Sequence, residues 1–274
     1  MLDGLDHHTA RALLEWHLEL GVDEAIGDRP IDRYAHAETA SQSVRPATHA
    51  APEAPHPGNR PVTPPAETSE AQQDPVAVAR AAAAAAPDLA ALHAALAAFE
   101  LGELKRGARS TVFADGRPEA RIMIIGEAPG RDEDIEGRPF VGRAGQMLDR
   151  MFAAIGLARD APDPDHALYI TNILPWRPPQ NRRPERAESA MLLPFVERHV
   201  ALAAPELLVL MGNTPCGALL GRDGITRIRG RWSEVLGVPA LPMFHPSYLL
   251  RTPSAKRDAW ADLLTLQARL RGAP

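Results

Sequence analysis

Residues 122–145 read IMIIGEAPGRDEDIEGRPFVGRAG. The first four are a continuous apolar run, short enough for a strand and uniform enough for one covered on both faces. Gly126 ends the run, and Pro129-Gly130 predicts a turn. Four acids follow, Asp132, Glu133, Asp134 and Glu136, and then a lone aromatic, Phe140. A buried strand that empties into a loop of glycines and carboxylates fits an open α/β sheet, which presents ligands at the carboxyl ends of its strands.

Toward the C-terminus the pattern alternates. Strands are predicted at 121–125, 167–171, 207–211 and 239–244, and helices at 146–155, 186–204 and 256–270. In the first helix Met147, Leu148, Met151 and Phe152 share one face; in the second Met191, Phe195 and Val200 point inward. Asn213-Thr214-Pro215 reads as a helix cap with proline in the first turn, a terminus suited to an anion. Alternating strands and helices imply a parallel sheet with helices on both faces.

Toward the N-terminus, 76–100 is alanine-rich. Leu89, Leu92, Leu96 and Phe99 fall at helical spacing, and Pro87 predicts a break into two helices. Residues 36–75 are rich in Pro, Ala, Ser, Thr and Glu and poor in large apolar groups, the composition of a disordered linker. Residues 8–26 predict an amphipathic helix with Leu13, Leu14, Trp16, Leu18, Leu20 and Val22 opposed to Glu15 and Glu19. Packing back onto the main domain and docking a protein partner suit it equally. The expected organisation is thus a helical segment (1–35), a linker (36–75) and a main domain (76–274) that holds the strand–helix pattern.

Composition narrows the class. The 274 residues are ample for one sizeable domain. No stretch is long and apolar enough to cross a membrane. The start, MLDGLDHH, lacks the basic and apolar regions of a secretory signal. A single cysteine, Cys216, rules out an intrachain disulfide and suits a reducing cytoplasm. The first 100 residues carry −9 and the rest +4 of a total of −5, so the basic balance lies where the strand–helix pattern lies. That is compatible with nucleic-acid binding or with an arginine-rich solvated surface.

Three motifs in order, GEAPGRDEDIEGRPFVGRAG (126–145), YITNILPWRPPQNRRP (169–184) and HPSYLLR (245–251), resemble family 4 uracil-DNA glycosylases over about residues 99–270. The resemblance implies a three-layer α/β/α fold around a central four-stranded parallel sheet. It also implies a monofunctional glycosylase that flips uracil out of DNA and hydrolyses the N-glycosidic bond with water. No lysine is placed for a Schiff base, so no lyase step is expected.

Each proposed site residue has a physical task. Asn172 carries a donor and an acceptor on one amide, matching uracil N3–H and O4 and mismatching cytosine; a turn cap is the plainer alternative. Phe140 offers a face on which a flipped base can stack, or it is core. His245 can donate to uracil O2, where charge collects as the bond breaks. Glu127 and Glu133 are the acids that could position water and face a developing oxocarbenium cation, and the residues leave open which does so. Asp132, Asp134 and Glu136 read as loop-capping or solvated. Arg177, Arg182, Arg183, Arg227, Arg229, Arg231, Arg251, Lys256 and Arg257 are candidates for phosphate contacts, with Arg177, Arg182, Arg229 and Arg251 the foremost. Leu249 and Leu250 serve equally as an apolar wedge in the base stack or as the start of a buried helix.

The chain departs from the family at one feature. Family members hold a [4Fe–4S] cluster on four cysteines, and those positions fall near Phe99, Gly102, Trp176 and Leu192. Four thiolates are not available, so no metal cofactor is expected, and Phe99, Trp176 and Leu192 are expected to fill the cluster's space. The expected partner is uracil-containing DNA, met by a monomer. A non-catalytic DNA-binding protein on the same scaffold is the alternative. A covalent uracil binder ranks lower, because GITRIRGRW (224–232) has no histidine.

Overall fold

The computed structural model describes residues 74–100 and 104–272. The readings of 1–35, of 36–73 and of Gly102 lie outside the described residues. Helix α1 (Pro75–Ala84) opens at Asp74, whose carboxylate accepts from Val76 N, and α2 (Leu89–Ala98) opens at Asp88, which accepts from Ala91 N. The break between them falls at Pro87, as its missing N–H requires. A short α3 (Leu104–Gly107) follows.

The sheet has six strands: β1 (Ala114–Gly116), β2 (Ile122–Gly126), β3 (Leu168–Asn172), β4 (Leu207–Met211), β5 (Ser233–Val235) and β6 (Val238–Met243). Their order is β1-β3-β2-β4-β6-β5. The middle four are parallel, as expected; β1 and β5 add antiparallel edges. Neither edge shows in the sequence. Each is three residues long, and ADG and SEV carry no run of apolar or alternating residues to mark them.

β2, β3 and β4 are buried along their whole length because both faces are covered. In β2, Met123 and Ile125 enter one core while Ile122 and Ile124 enter the other. The first core is closed by α1, α2 and α6 (Arg186–Ala203), through Leu92, Leu96, Met191, Leu192 and Phe195. The second is closed by α5 (Arg143–Ala153), α9 (Pro246–Arg251) and α10 (Lys256–Leu270), through Leu148, Phe152, Leu249 and Leu263. The result is the three-layer arrangement.

Two local readings need correction. The acid run in 131–136 is a short helix, α4 (Arg131–Glu136), capped by Gly130, and not an open loop. The helix after β4, α7 (Asn213–Leu220), takes Gly212 as its N-cap. Asn213 is its first residue, and its side chain accepts from Gly224 N and Ile225 N at 3.1 and 2.8 Å, holding the start of α8 (Ile225–Ile228).

Candidate active site

The carboxyl ends of β2, β3 and β6 open on a cavity of about 560 Å³, a size suited to a small ligand. Glu127, Glu133, Phe140, Asn172 and His245 all line it, with Thr214's neighbours Gly212 and Asn213, and with Asn181, Arg183, Tyr248 and Arg251 at its edges.

Strand pairing sets the first part of the geometry. The β2–β3 register places Gly126 opposite Asn172, and the pairing runs on as Ile173 N and Leu174 N donate to the carbonyls of Gly126 and Glu127. Only glycine fits at 126. A Cβ there would lie 2.3 Å from Asn172 Oδ1 and 2.6 Å from the Phe140 ring. The amide and the ring therefore converge on one backbone position. Asn172 is buried, and its Oδ1 has no hydrogen-bond partner, alone among the buried side-chain polar atoms of the described residues. A buried acceptor without a donor is unfavourable by about 1–3 kcal/mol, so its persistence points to a ligand that supplies the donor.

Phe140 sits at φ 54°, the left-handed region that a bulky residue avoids. The loop around it is held from within. Glu133 accepts from Gly130 N at 3.1 Å with one oxygen, and from Val141 N and Gly142 N at 3.0 and 2.9 Å with the other. Both oxygens are thus committed to backbone. Asp134 likewise accepts from Arg109 N and Ser110 N, fulfilling the loop-capping expectation. Glu127 differs. One oxygen accepts from the Thr214 hydroxyl at 2.6 Å, and the carboxylate is half-buried against the cavity. Thr214 entered the sequence reading only as part of an anion-ready helix start. The pattern pointed to the right place and could not name its partner.

The Phe140 and His245 rings lie 5.4 Å apart, centroid to centroid. His245 caps α9, whose first residue is Pro246, so the His-Pro pair is a cap followed by the residue best suited to a first turn. Its Nδ1 accepts from Ser247 N at 3.2 Å and lies 2.8 Å from Ser247 Oγ. A backbone N–H can only donate, so Nδ1 carries no proton and Nε2 does. Burial, with Arg251 nearby, pushes the imidazole down to about 4. At neutral pH the ring is uncharged and presents Nε2–H.

The expected phosphate and wedge residues divide. Arg251 is exposed at the cavity mouth. Arg177 binds Asn181 Oδ1 at 2.8 Å. Arg182 is engaged by Glu188 at 2.9 and 2.6 Å, closing the start of α6. Arg229 forms a fork on Asp262, reaches the Asp258 carbonyl and stacks over Phe244, so its guanidinium braces the fold internally. For Leu249 the structure shows the second of its two readings, the start of a buried helix. It is fully buried in the second core, where the helical turn from Pro246 directs it. Arg183, another of the candidates, lines the cavity.

Of the four residues that the resemblance sets at the family's cluster positions, the three described are apolar and buried. Phe99, Trp176 and Leu192 are 5, 2 and 1 % exposed and belong to one core, with Phe99 edge-on to Phe195 at 5.4 Å. Cys216, the one cysteine of the chain, is buried in α7 and its thiol is pushed up to about 12 by burial. A four-thiolate cluster does not fit this donor set. Among the described residues no group of three His, Cys, Asp or Glu is placed to hold a metal ion.

An α/β sheet with a parallel centre and a partly polar cavity at its carboxyl edge defines a class in which ligand and chemistry sit at strand ends. The sequence model of the uracil DNA glycosylase superfamily matches residues 113–264, and the chain belongs to that superfamily. It is similar to the type-4 uracil-DNA glycosylase of Sulfurisphaera tokodaii, 35% identical over 158 residues that span 54% of this chain and 69% of that protein. The corresponding enzyme of Thermotoga maritima is 36% identical over 53% of this chain and 74% of its own length. That of Pyrobaculum aerophilum is 30% identical over 64% of this chain and 91% of its own length.

Proposed function

We propose that this chain is a uracil-DNA glycosylase that hydrolyses the N-glycosidic bond of uracil in DNA. The observation that carries the reading is the unpartnered Asn172 Oδ1, buried beside the Phe140 ring and facing the same cavity as His245. Uracil N3–H supplies the missing donor. Cytosine presents a bare N3 there and leaves the acceptor unpaired, a penalty large enough to discriminate.

The catalytic roles follow from what each group has left to offer. The base stacks on Phe140. As the C1′–N1 bond breaks, its electron pair passes into the uracil ring and onto O2, where the His245 Nε2–H donates. A fixed neutral donor is effective here because its interaction strengthens as charge develops. Glu127 orients the attacking water toward C1′ and faces the oxocarbenium charge; the water proton leaves to the carboxylate or to solvent. Glu133 shapes the loop, its oxygens being committed to three backbone N–H groups. Arg183 and Arg251 contact phosphates at the mouth, with Arg177 and Arg182 supporting the segment that carries Asn181. The protein works as a cytoplasmic monomer without a metal cofactor.

The test is uracil release from a single-stranded oligonucleotide with one uracil, beside matched oligonucleotides with cytosine or thymine. Wild type should release uracil alone. Asn172→Ala should lose about 2 kcal/mol of transition-state stabilisation, most of the penalty for an unmatched polar edge. DNA binding with no release by wild type would move the chain to the non-catalytic alternative.

A further inference from the structure

Phe140 is both buried and held at positive φ, and the elements already described do not account for its position. Its carbonyl is taken by Arg159, from the segment between α5 and β3. Arg159 Nη2 donates to Phe140 O at 2.8 Å, and Nη1 donates to Pro139 O at 3.0 Å. The guanidinium is then fixed from behind. Asp115 of β1 accepts from Nη1 at 2.8 Å, and Asp149 of α5 accepts from Nε and Nη2 at 3.0 and 2.8 Å. The Arg159 side chain is only 14% exposed. On the remaining side Gly145 leaves no gap: a Cβ there would lie 1.8 Å from Phe140 O.

We infer that Arg159 is a positioning residue for uracil, clamping the Phe140 carbonyl so that the ring stays against Asn172 and His245. The inference rests on the proposed glycosylase reading and deepens it. A planar fork can hold two successive carbonyls and two carboxylates at once, which a lysine ammonium cannot do. The clamp and the Glu133 carboxylate grip the two sides of one residue: Arg159 takes the carbonyls of Pro139 and Phe140, and Glu133 takes the N–H groups of Val141 and Gly142. Between them they leave the left-handed turn at Phe140 little freedom. The arrangement also gives β1 a task. This edge strand supplies the Asp115 that anchors a residue at the pocket wall.

The experiment uses the full chain labelled with fluorophenylalanine, its six phenylalanines resolved by ¹⁹F NMR and the Phe140 signal assigned with Phe140→Leu. Arg159→Lys and Asp149→Asn are compared with wild type, with a thermal melt to confirm folding. Wild type should give one sharp Phe140 signal, and both variants should broaden or split it while the other five signals hold. In the same variants inhibition by free uracil should weaken about tenfold, in keeping with partial loss of a base stack, with binding of abasic DNA unchanged. A Phe140 signal and uracil inhibition identical to wild type in folded Arg159→Lys would overturn the clamp. The NMR arm decides this whether or not wild type releases uracil, so a failure of the glycosylase reading shows up separately, in the release assay.

Discussion

Two histidines, His199 buried and His245 half-buried at the cavity wall, set the two halves of this molecule side by side. His245 at the pocket is pushed down to about 4 and His199 on α6 to about 3, both by burial first. Their hydrogen bonding differs. His199 Nε2 is 2.8 Å from the Tyr169 hydroxyl, and its ring stacks on Phe113 at 4.4 Å, in the core that also takes in Trp176, Leu192 and Phe99. His245 uses Nδ1 on its own helix start and keeps Nε2–H facing the cavity. A shifted imidazole is common to both, so the shift does not mark the site; the unspent donor does. The same contrast holds for the polar atoms around them. The apolar block satisfies its polar groups, as Trp176 Nε1 donates to Thr111 Oγ1 at 3.1 Å, while the pocket leaves Asn172 Oδ1 open.

The largest expected effect tests whether the two halves are separable. Trp176→Ala removes a fully buried indole and should destabilise the fold by about 3–5 kcal/mol. Its rate of uracil release, corrected for the folded fraction in a urea titration, should match wild type. A residual loss of catalysis after that correction would tie the pocket to the block that stands where the family's cluster would be.

Next in size is the pair of histidines themselves. His245→Ala should lose about 3 kcal/mol of transition-state stabilisation in kcat/KM with a small change in Tm. His199→Ala should do the reverse, losing about 1–3 kcal/mol of stability as Tyr169 OH is left unpaired, with kcat/KM intact. Equal catalytic losses in the two would erase the distinction.

The carboxylates sharpen it within the short stretch from the end of β2 into α4. Glu127→Gln should lower kcat about a hundredfold, the usual scale for losing a general base, and leave Tm nearly unchanged. Glu133→Gln should lower Tm by weakening charge-assisted bonds to backbone, an effect of about 1–2 kcal/mol, and touch kcat less. Both residues looked alike in the sequence. Their spacing placed them in one loop, but only the folded positions of Gly130, Val141 and Gly142 show that one carboxylate is already spent.

That difference marks where sequence reading stops. Local patterns carried the parallel strands and long helices, because β2 and β4 are uniformly apolar and α6 and α10 run to nearly their expected ends. That Glu127, Asn172 and His245 share one cavity was legible because they follow or end strands, where an α/β sheet collects its ligand groups. What failed depends on contacts distant in sequence. Arg229 reads as a basic residue in a loop until Asp262, thirty-three residues on, meets it. Leu249 reads as exposed or buried with equal ease until α9 fixes its direction. Arg159 carries no motif at all; its four partners come from β1, α5 and the Phe140 loop.

The smallest expected effect is an absence of titration. The unfolded chain takes up a proton on each imidazole near the ordinary 6.5, and the folded chain only near 4 at His245 and 3 at His199. In the interval the unfolded state binds more protons. Stability therefore falls as pH drops from 6.5 toward those values and, for these two groups, is complete above 6.5. Catalysis should not follow the same curve. His245 keeps the same neutral Nε2–H from pH 8 to about 5.5, so the pH profile of kcat/KM should show no inflection near 6.5 that His245→Gln removes. The urea midpoint should meanwhile decline over the acid part of that range. A kcat/KM that rises as pH falls through 6.5, and does so only with His245 present, would mean the working donor is an imidazolium. Nδ1 would then have to donate, and the Ser247 N–H that now caps against it would lose its acceptor.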